Sequence, residues 1–264
     1  MTDTKRAQLM LGLATAAYVF MIVMNTLAIA LPLNGMTTAA LSDRYNTLFA
    51  PTGMTFSIWG LIYLALGADL VQSFIKFKKL GAGPDAKQTF MKHALIAVTS
   101  ALNGLWIVFW HYELLLLSLI DMVLLFGCLA YGNIILKKAP WHERLSFSIY
   151  FGWISVALIA NVASYIVSFG VNWNSVGAVL QTFFVIIIAG LAGALTVYLQ
   201  KDLAYGAVFL WALAGIMIRH LDPAQLDRGY ISVYEAAIVA AVFVALGMLA
   251  MLFVPKLLKL IKKK

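Results

Sequence analysis

"FSIWGLIYLALG", residues 56–67, is apolar enough for the core of a bilayer. Yet Trp59, Tyr63 and Gly67 fall at i, i+4 and i+8. If the stretch is a helix, one stripe carries an indole, a phenol and a bare backbone patch. The fold class turns on whether this stretch crosses a membrane, and the rest of the chain answers that. Of 264 residues, 63% are apolar and only 11% charged, which leaves too little polar surface for a soluble domain. Apolar runs of about eighteen residues or more recur, and each reads as a membrane-spanning helix. In lipid the backbone must satisfy itself, so helices are the expected spanning element. Nothing alternates with the ten-residue period of a membrane barrel.

Eight spans follow, at 7–33, 52–75, 90–111, 113–136, 145–169, 175–199, 203–219 and 232–254. The first could be mistaken for a signal peptide, since Lys5 and Arg6 precede it and "AIA" closes it, but its apolar run is too long. An even count puts both termini on one side. Sixteen of the nineteen lysines and arginines then share that side, and only Arg44, Arg219 and Arg228 lie opposite. By the positive-inside rule, both ends are expected in the cytoplasm, with the chain in a cell (inner) membrane. The net charge of +8 therefore needs no nucleic acid, and the "KLLKLIKKK" tail fits anionic headgroups. Cys128 stands alone, so neither an intrachain disulfide nor a cysteine-based metal site is available.

Polar side chains inside spans cost energy, and their positions are informative. Span three places Thr99, Asn103, Trp106 and Trp110 along one face, and span five does the same with Tyr150, Trp153, Ala157, Asn161 and Ser164. Span two carries Trp59, Tyr63 and Asp69, and span four carries Asp121. Asn103 and Asn161 need partners and should point into the bundle. Any one tryptophan is explained by packing or by an interface belt, and either amide by an interhelix bond. Asp121 is equally explained by a structural hydrogen bond. Asp69 reads as solvated or paired with Lys76 or Lys79, and Glu113 as wet. Small residues at Ala189, Gly190, Gly193 and Ala194, and at Ala237, Ala241 and Ala245, let helices approach closely, within the chain or across a homodimer.

The joint spacing carries more. "PTGMTFSIWGLIYLALG", "ALNGLW" and "YFGWISVALIAN" resemble the signature segments of the TspO/translocator-protein family, the tryptophan-rich sensory proteins. The matching positions are Trp59, Tyr63 and Gly67; Leu102, Asn103 and Trp106; Tyr150, Trp153 and Asn161; and Asp121 for the fourth-helix aspartate. The resemblance covers about residues 1–170 as a five-helix membrane core, and residues 171–264 add three transmembrane helices with a basic tail. The first loop departs from the family text: Tyr45, Leu48 and Pro51 align, but Arg44 replaces a tryptophan and Ala50 a lysine.

The expectation is an all-α integral membrane protein that binds a flat apolar molecule, porphyrin- or sterol-like as the resemblance implies, in a sensory or regulatory role. A transporter or export factor for a hydrophobic small molecule is the alternative. The expected site is one cavity lined by Trp59, Tyr63, Asn103, Trp106, Asp121, Trp153 and Asn161, under the loop containing Tyr45 and Pro51. No covalent cofactor or metal is expected. Neither is catalysis, since no nucleophile–base pair, metal-ligand spacing or phosphate loop is present.

Overall fold

A computed structural model describes residues 3–31, 33–80, 86–170, 175–222 and 230–261. Arg228 and Lys262 to Lys264, which enter the count of basic residues, lie outside the described residues. Among the described residues the chain forms α1 (Asp3–Ala30), α2 (Thr38–Tyr45), α3 (Ile58–Leu80), α4 (Ala86–His111), α5 (Leu115–Ile135), α6 (Trp141–Val167), α7 (Val176–Gln200), α8 (Leu203–Leu221) and α9 (Ile231–Ile261). All but α2 contain a stretch long and apolar enough to span a bilayer. The protein is an all-α integral membrane protein, with eight such spans among the described residues.

The span ends shift where local chemistry acts. Helix α1 stops at Ala30, and a 3-10 turn at Leu33–Gly35 follows, with Asn34 at a left-handed φ of 54°. Helix α6 starts at Trp141, four residues before the apolar run, because Pro140 opens it and Arg144 is buried against neighbouring carbonyls. The one helix not read from hydropathy is α2. Thr37 caps it by accepting from the Ala40 amide at 3.2 Å, and Asn46 ends it with φ 45°.

Five helices close a ring in the order α1, α4, α5, α6, α3, with α3 returning to α1. Gly67 serves this closure. Tyr18 of α1 fills the place a side chain would take there and donates to the Tyr63 carbonyl at 3.0 Å. Gly67 thus admits a side chain of the neighbouring helix. Helix α8 packs on the outer face of α6, where Phe151 meets Tyr205 with ring centroids 5.2 Å apart, and α9 and α7 complete an outer layer. The small-residue faces of α7 and α9 close on each other: Gly190 lies against the Ala240 backbone and Gly247 against that of Ala194.

The two ends of the ring differ. At the basic end, Asp69 is buried and accepts from Lys92 Nζ at 2.6 Å and Ser146 Oγ at 2.9 Å. That corrects the expectation of a solvated aspartate or a pair with Lys76; Lys76 pairs instead with Glu143. Arg144 is held by Asp202 at 2.7 Å and by the carbonyls of Lys137 and Gln200. Asp202 also accepts from Ser148 and caps α8 through the Tyr205 amide.

Candidate functional site

At the opposite end, tryptophans from three helices converge. The Trp59 ring stands 5.8 Å from Tyr63, 6.0 Å from Trp106, 5.9 Å from Tyr150 and 6.0 Å from Trp153, centroid to centroid. Trp106 stacks on Trp110 at 5.8 Å, and Phe56 meets Trp153 edge-on at 5.7 Å. Each such pair contributes about 0.5–1.5 kcal/mol beyond area burial. The helical spacing of the sequence produces this directly: Trp106 and Trp110 are one turn apart on α4, and Trp59 sits at the first turn of α3.

These rings enclose a cavity of about 30 Å³, lined also by Thr38, Ser42 and Pro51 from above and by Ala157, Asn161 and Ser164 of α6. That is room for roughly two water molecules and far below the roughly 300–1,000 Å³ of drug-sized ligand pockets. A larger molecule enters only if the walls move.

Residues 33–57 form the roof, which is tied along two edges. Toward α4 and α5, Arg44 pairs with Glu113 at 2.7 Å, and the Tyr45 hydroxyl donates to the same carboxylate at 2.8 Å. Glu113 is therefore engaged and not merely wet. Burial, and then the Glu113 carboxylate, push the Tyr45 phenol above its usual range. Thr38 adds contacts to Trp110 and His111. Toward α8, Arg219 is 2% exposed and pairs with Asp43 at 2.5 Å. His220 Nε2 lies 2.8 Å from the Leu48 carbonyl, Trp211 Nε1 donates to the Thr55 carbonyl at 3.0 Å, and the Thr52 amide donates to Gly215 at 3.2 Å. Arg219, in the sequence only one of three cations on its side, is thus a roof anchor.

Of the seven residues expected to line one cavity, Trp59, Trp106, Trp153 and Asn161 do so. Tyr63, Asn103 and Asp121 do not line it. Tyr63 stacks against Trp59, and Asn103 Oδ1 accepts from Asn25 of α1 at 2.7 Å. Asp121 lies one turn along α5 from Ser118, which accepts from Asn161 Nδ2 at 2.9 Å. Phe56 and Trp110 also line the cavity: Phe56 opens the apolar stretch that carries Trp59, and Trp110 shares a face with Trp106, whereas Thr38 and Ser42 lie on α2, a helix too short and polar to show in the hydropathy.

Several buried polar atoms here have no hydrogen-bond partner among the described residues: the indole nitrogens of Trp106 and Trp153, Asn161 Oδ1, the Tyr63 hydroxyl and Asp121 Oδ2. Buried polar atoms are ordinarily satisfied, so such a cluster marks a place able to bond an incoming molecule. Among the described residues no group of three or more His, Cys, Asp or Glu could hold a metal ion.

No curated protein and no solved structure matches the chain. A protein-family model described as TSPO-like protein matches residues 11–253, which takes in both the five-helix ring and α7, α8 and most of α9. The chain belongs to the TSPO-like protein family.

Proposed function

We propose that this chain is a sensory or regulatory membrane protein that binds a flat, largely apolar small molecule between the tryptophans of the ring, and that it is not an enzyme. The observation that carries the reading is the aromatic cage of Trp59, Trp106, Trp110 and Trp153 with orphaned N–H and C=O groups on its wall. Flat faces offer stacking area, and the orphaned groups offer a donor pair and an acceptor to a ligand's polar edge. Porphyrin- and sterol-like molecules have that shape. Because the cavity is small as it stands, binding requires the roof or the Trp59 ring to move.

The test is quenching of intrinsic fluorescence by protoporphyrin, with Trp153→Leu and Asn161→Leu beside Trp141→Leu, an exposed tryptophan at the basic end. The expected result is about tenfold weaker binding, or roughly 1.4 kcal/mol, in the first two only. Equal affinity in all folded variants sinks the reading. Ligand-dependent flux in proteoliposomes would favour the transporter alternative. A homodimer is not needed, since the small-residue faces of α7 and α9 are engaged with each other.

The same reading places both termini in the cytoplasm of a cell with the roof outside, supported by the clustering of basic residues at one end of the bundle. Single cysteines at Ala40 and Lys138, with Cys128 replaced, should react with impermeant reagents from opposite faces. Labelling from one face would overturn this orientation.

A further inference from the structure

A second pocket lies at the basic end, between the start of α6, the α7–α8 turn and α9. Its volume is about 410 Å³, against about 30 Å³ beneath the roof, so it admits a molecule as it stands. The wall is amphiphilic. Leu145, Leu203 and Met251 are among its apolar members, and Arg144, Lys201 and Asp202 supply its charges. Asp202 is fully engaged, accepting from Arg144, Ser148 and the Tyr205 amide. Arg144 is spent on Asp202 and two carbonyls. Lys201 is exposed, and its ammonium has no ion-pair partner among the described residues. One positive charge is therefore left over on a largely apolar wall.

The backbone singles out the same lysine. Lys201 ends α7 at φ 53°, a left-handed conformation that favours glycine or asparagine. Among the described residues, the others besides glycine with such a φ are Asn34, Asn46 and Glu113. Two of these are asparagines, and Glu113 is held by Arg44 and Tyr45 of the roof. Lys201 has no such bond to offset its strain.

Depth decides what fits. Helix α7 ends at Gln200 and α8 begins at Leu203, so Lys201 lies where the spans leave the bilayer, at headgroup level. A soluble anion would use the ammonium and leave the apolar wall wet. A phospholipid uses both, its phosphate meeting the ammonium and its methylenes the wall. A zwitterionic headgroup would also bring its own ammonium to a wall whose carboxylate is already engaged.

We propose that this pocket holds an anionic phospholipid, its phosphate on Lys201 and the start of its acyl chains against Leu203 and Met251, so that one lipid bridges α6, α8 and α9. The site is separate from the tryptophan cavity and does not depend on how that cavity is read.

The experiment is native mass spectrometry of the purified full chain in a non-ionic detergent, titrated with dioleoylphosphatidylglycerol or dioleoylphosphatidylcholine. The two lipids share chains and differ in charge. The first phosphatidylglycerol should bind about fivefold more tightly than the first phosphatidylcholine, the effect of one basic residue beside anionic lipid. Lys201→Gly and Lys201→Asn both suit the left-handed backbone, so they should fold at least as stably as the parent in detergent and lose the preference. Lys138→Gln, at an exposed lysine of the same end outside the pocket, should keep it. Equal affinity for the two lipids on the unaltered chain overturns the inference, whether or not the variants fold. So does a preference that survives at Lys201, or one that Lys138→Gln abolishes equally, since the basic surface as a whole would then attract the lipid. Displacement of phosphatidylglycerol by millimolar inorganic phosphate overturns it in favour of a soluble anion.

Discussion

The basic end and the roofed end of the five-helix ring are built from similar materials and finished differently. At the basic end, Asp69 meets Lys92 and Ser146, and Asp202 meets Arg144 and Ser148, so every buried charge has its opposite at bonding distance. At the roofed end, Asp121 is left without a countercharge, and two indole N–H groups and an amide oxygen are left without acceptors or donors. A buried ion pair adds little net stability, but removing one partner is expensive. The basic end therefore fixes how α3, α4, α6 and α8 sit together. The roofed end instead has its unsatisfied indole and amide groups on the wall of the aromatic cavity, while the basic end's own orphaned atoms, such as the His93 ring nitrogens, belong to uncharged side chains.

The sharpest way to break this contrast is to remove a charge at each end. Lys92→Met strands Asp69 and should cost about 3–5 kcal/mol, with Asp69→Asn in the same chain restoring most of it. Asp121→Asn should be neutral or slightly stabilising, because it keeps the side chain's shape and replaces a buried carboxyl that has no countercharge. Unfolding midpoints in mixed micelles provide the check. A loss for Asp121→Asn as large as for Lys92→Met would show that Asp121 is structural after all.

Next in size is the α8 edge of the roof. Arg219→Leu removes the Asp43 pair and the contact to the Pro51 carbonyl, for about 1–3 kcal/mol. It should also expose the cavity: a cysteine at Ser42, buried in the roof, should react several-fold faster with a thiol reagent. Unchanged reactivity would mean that α8 does not hold the roof. The outer layer offers a comparison at similar cost. Gly190→Val forces α7 off the Ala240 backbone and should cost about 1–3 kcal/mol of stability while leaving protoporphyrin affinity unchanged. Altered affinity would show that α7 and α9 bear on the site.

The smallest effect is at the exposed edge. Arg44 is 57% exposed, so Arg44→Gln should cost no more than about 1 kcal/mol, and less in high salt. Tyr45 adds a pH dependence. Its folded phenol is held above the free value, so its contribution is complete below about pH 10 and is lost as pH rises past that. Alkaline titration of Tyr45→Phe against the parent, read as roof opening, measures it; identical curves would remove Tyr45 from the roof.

Hydropathy was enough to read the eight spans, because lipid requires long apolar runs and little else. The aromatic convergence was also legible, since Trp106 and Trp110, or Trp153 and Asn161, share a face at any helical pitch near ideal. What the spacing could not give is depth and rotation. Tyr63 shares a stripe with Trp59 but lies behind it, and Asn103 is claimed by Asn25 of α1. Asp69 chose Lys92 over the nearer-in-sequence Lys76 for the same reason: the partner is set by how α3 and α4 face each other. The roof was hidden because α2 is short and polar, and because Arg219 lies 176 residues from its partner Asp43.

A roof fastened along two edges opens at the weaker one. Both edges carry further bonds, His220, Trp211 and Thr52 at one and Tyr45 and Thr38 at the other, but Arg219 is buried whereas both members of the Arg44–Glu113 pair reach solvent. Opening should then be a swing about α8, with the gap appearing beside the α4–α5 turn. The residence time of anything held beneath is governed by that exposed edge, and ionic strength becomes a control on dissociation rate more than on affinity.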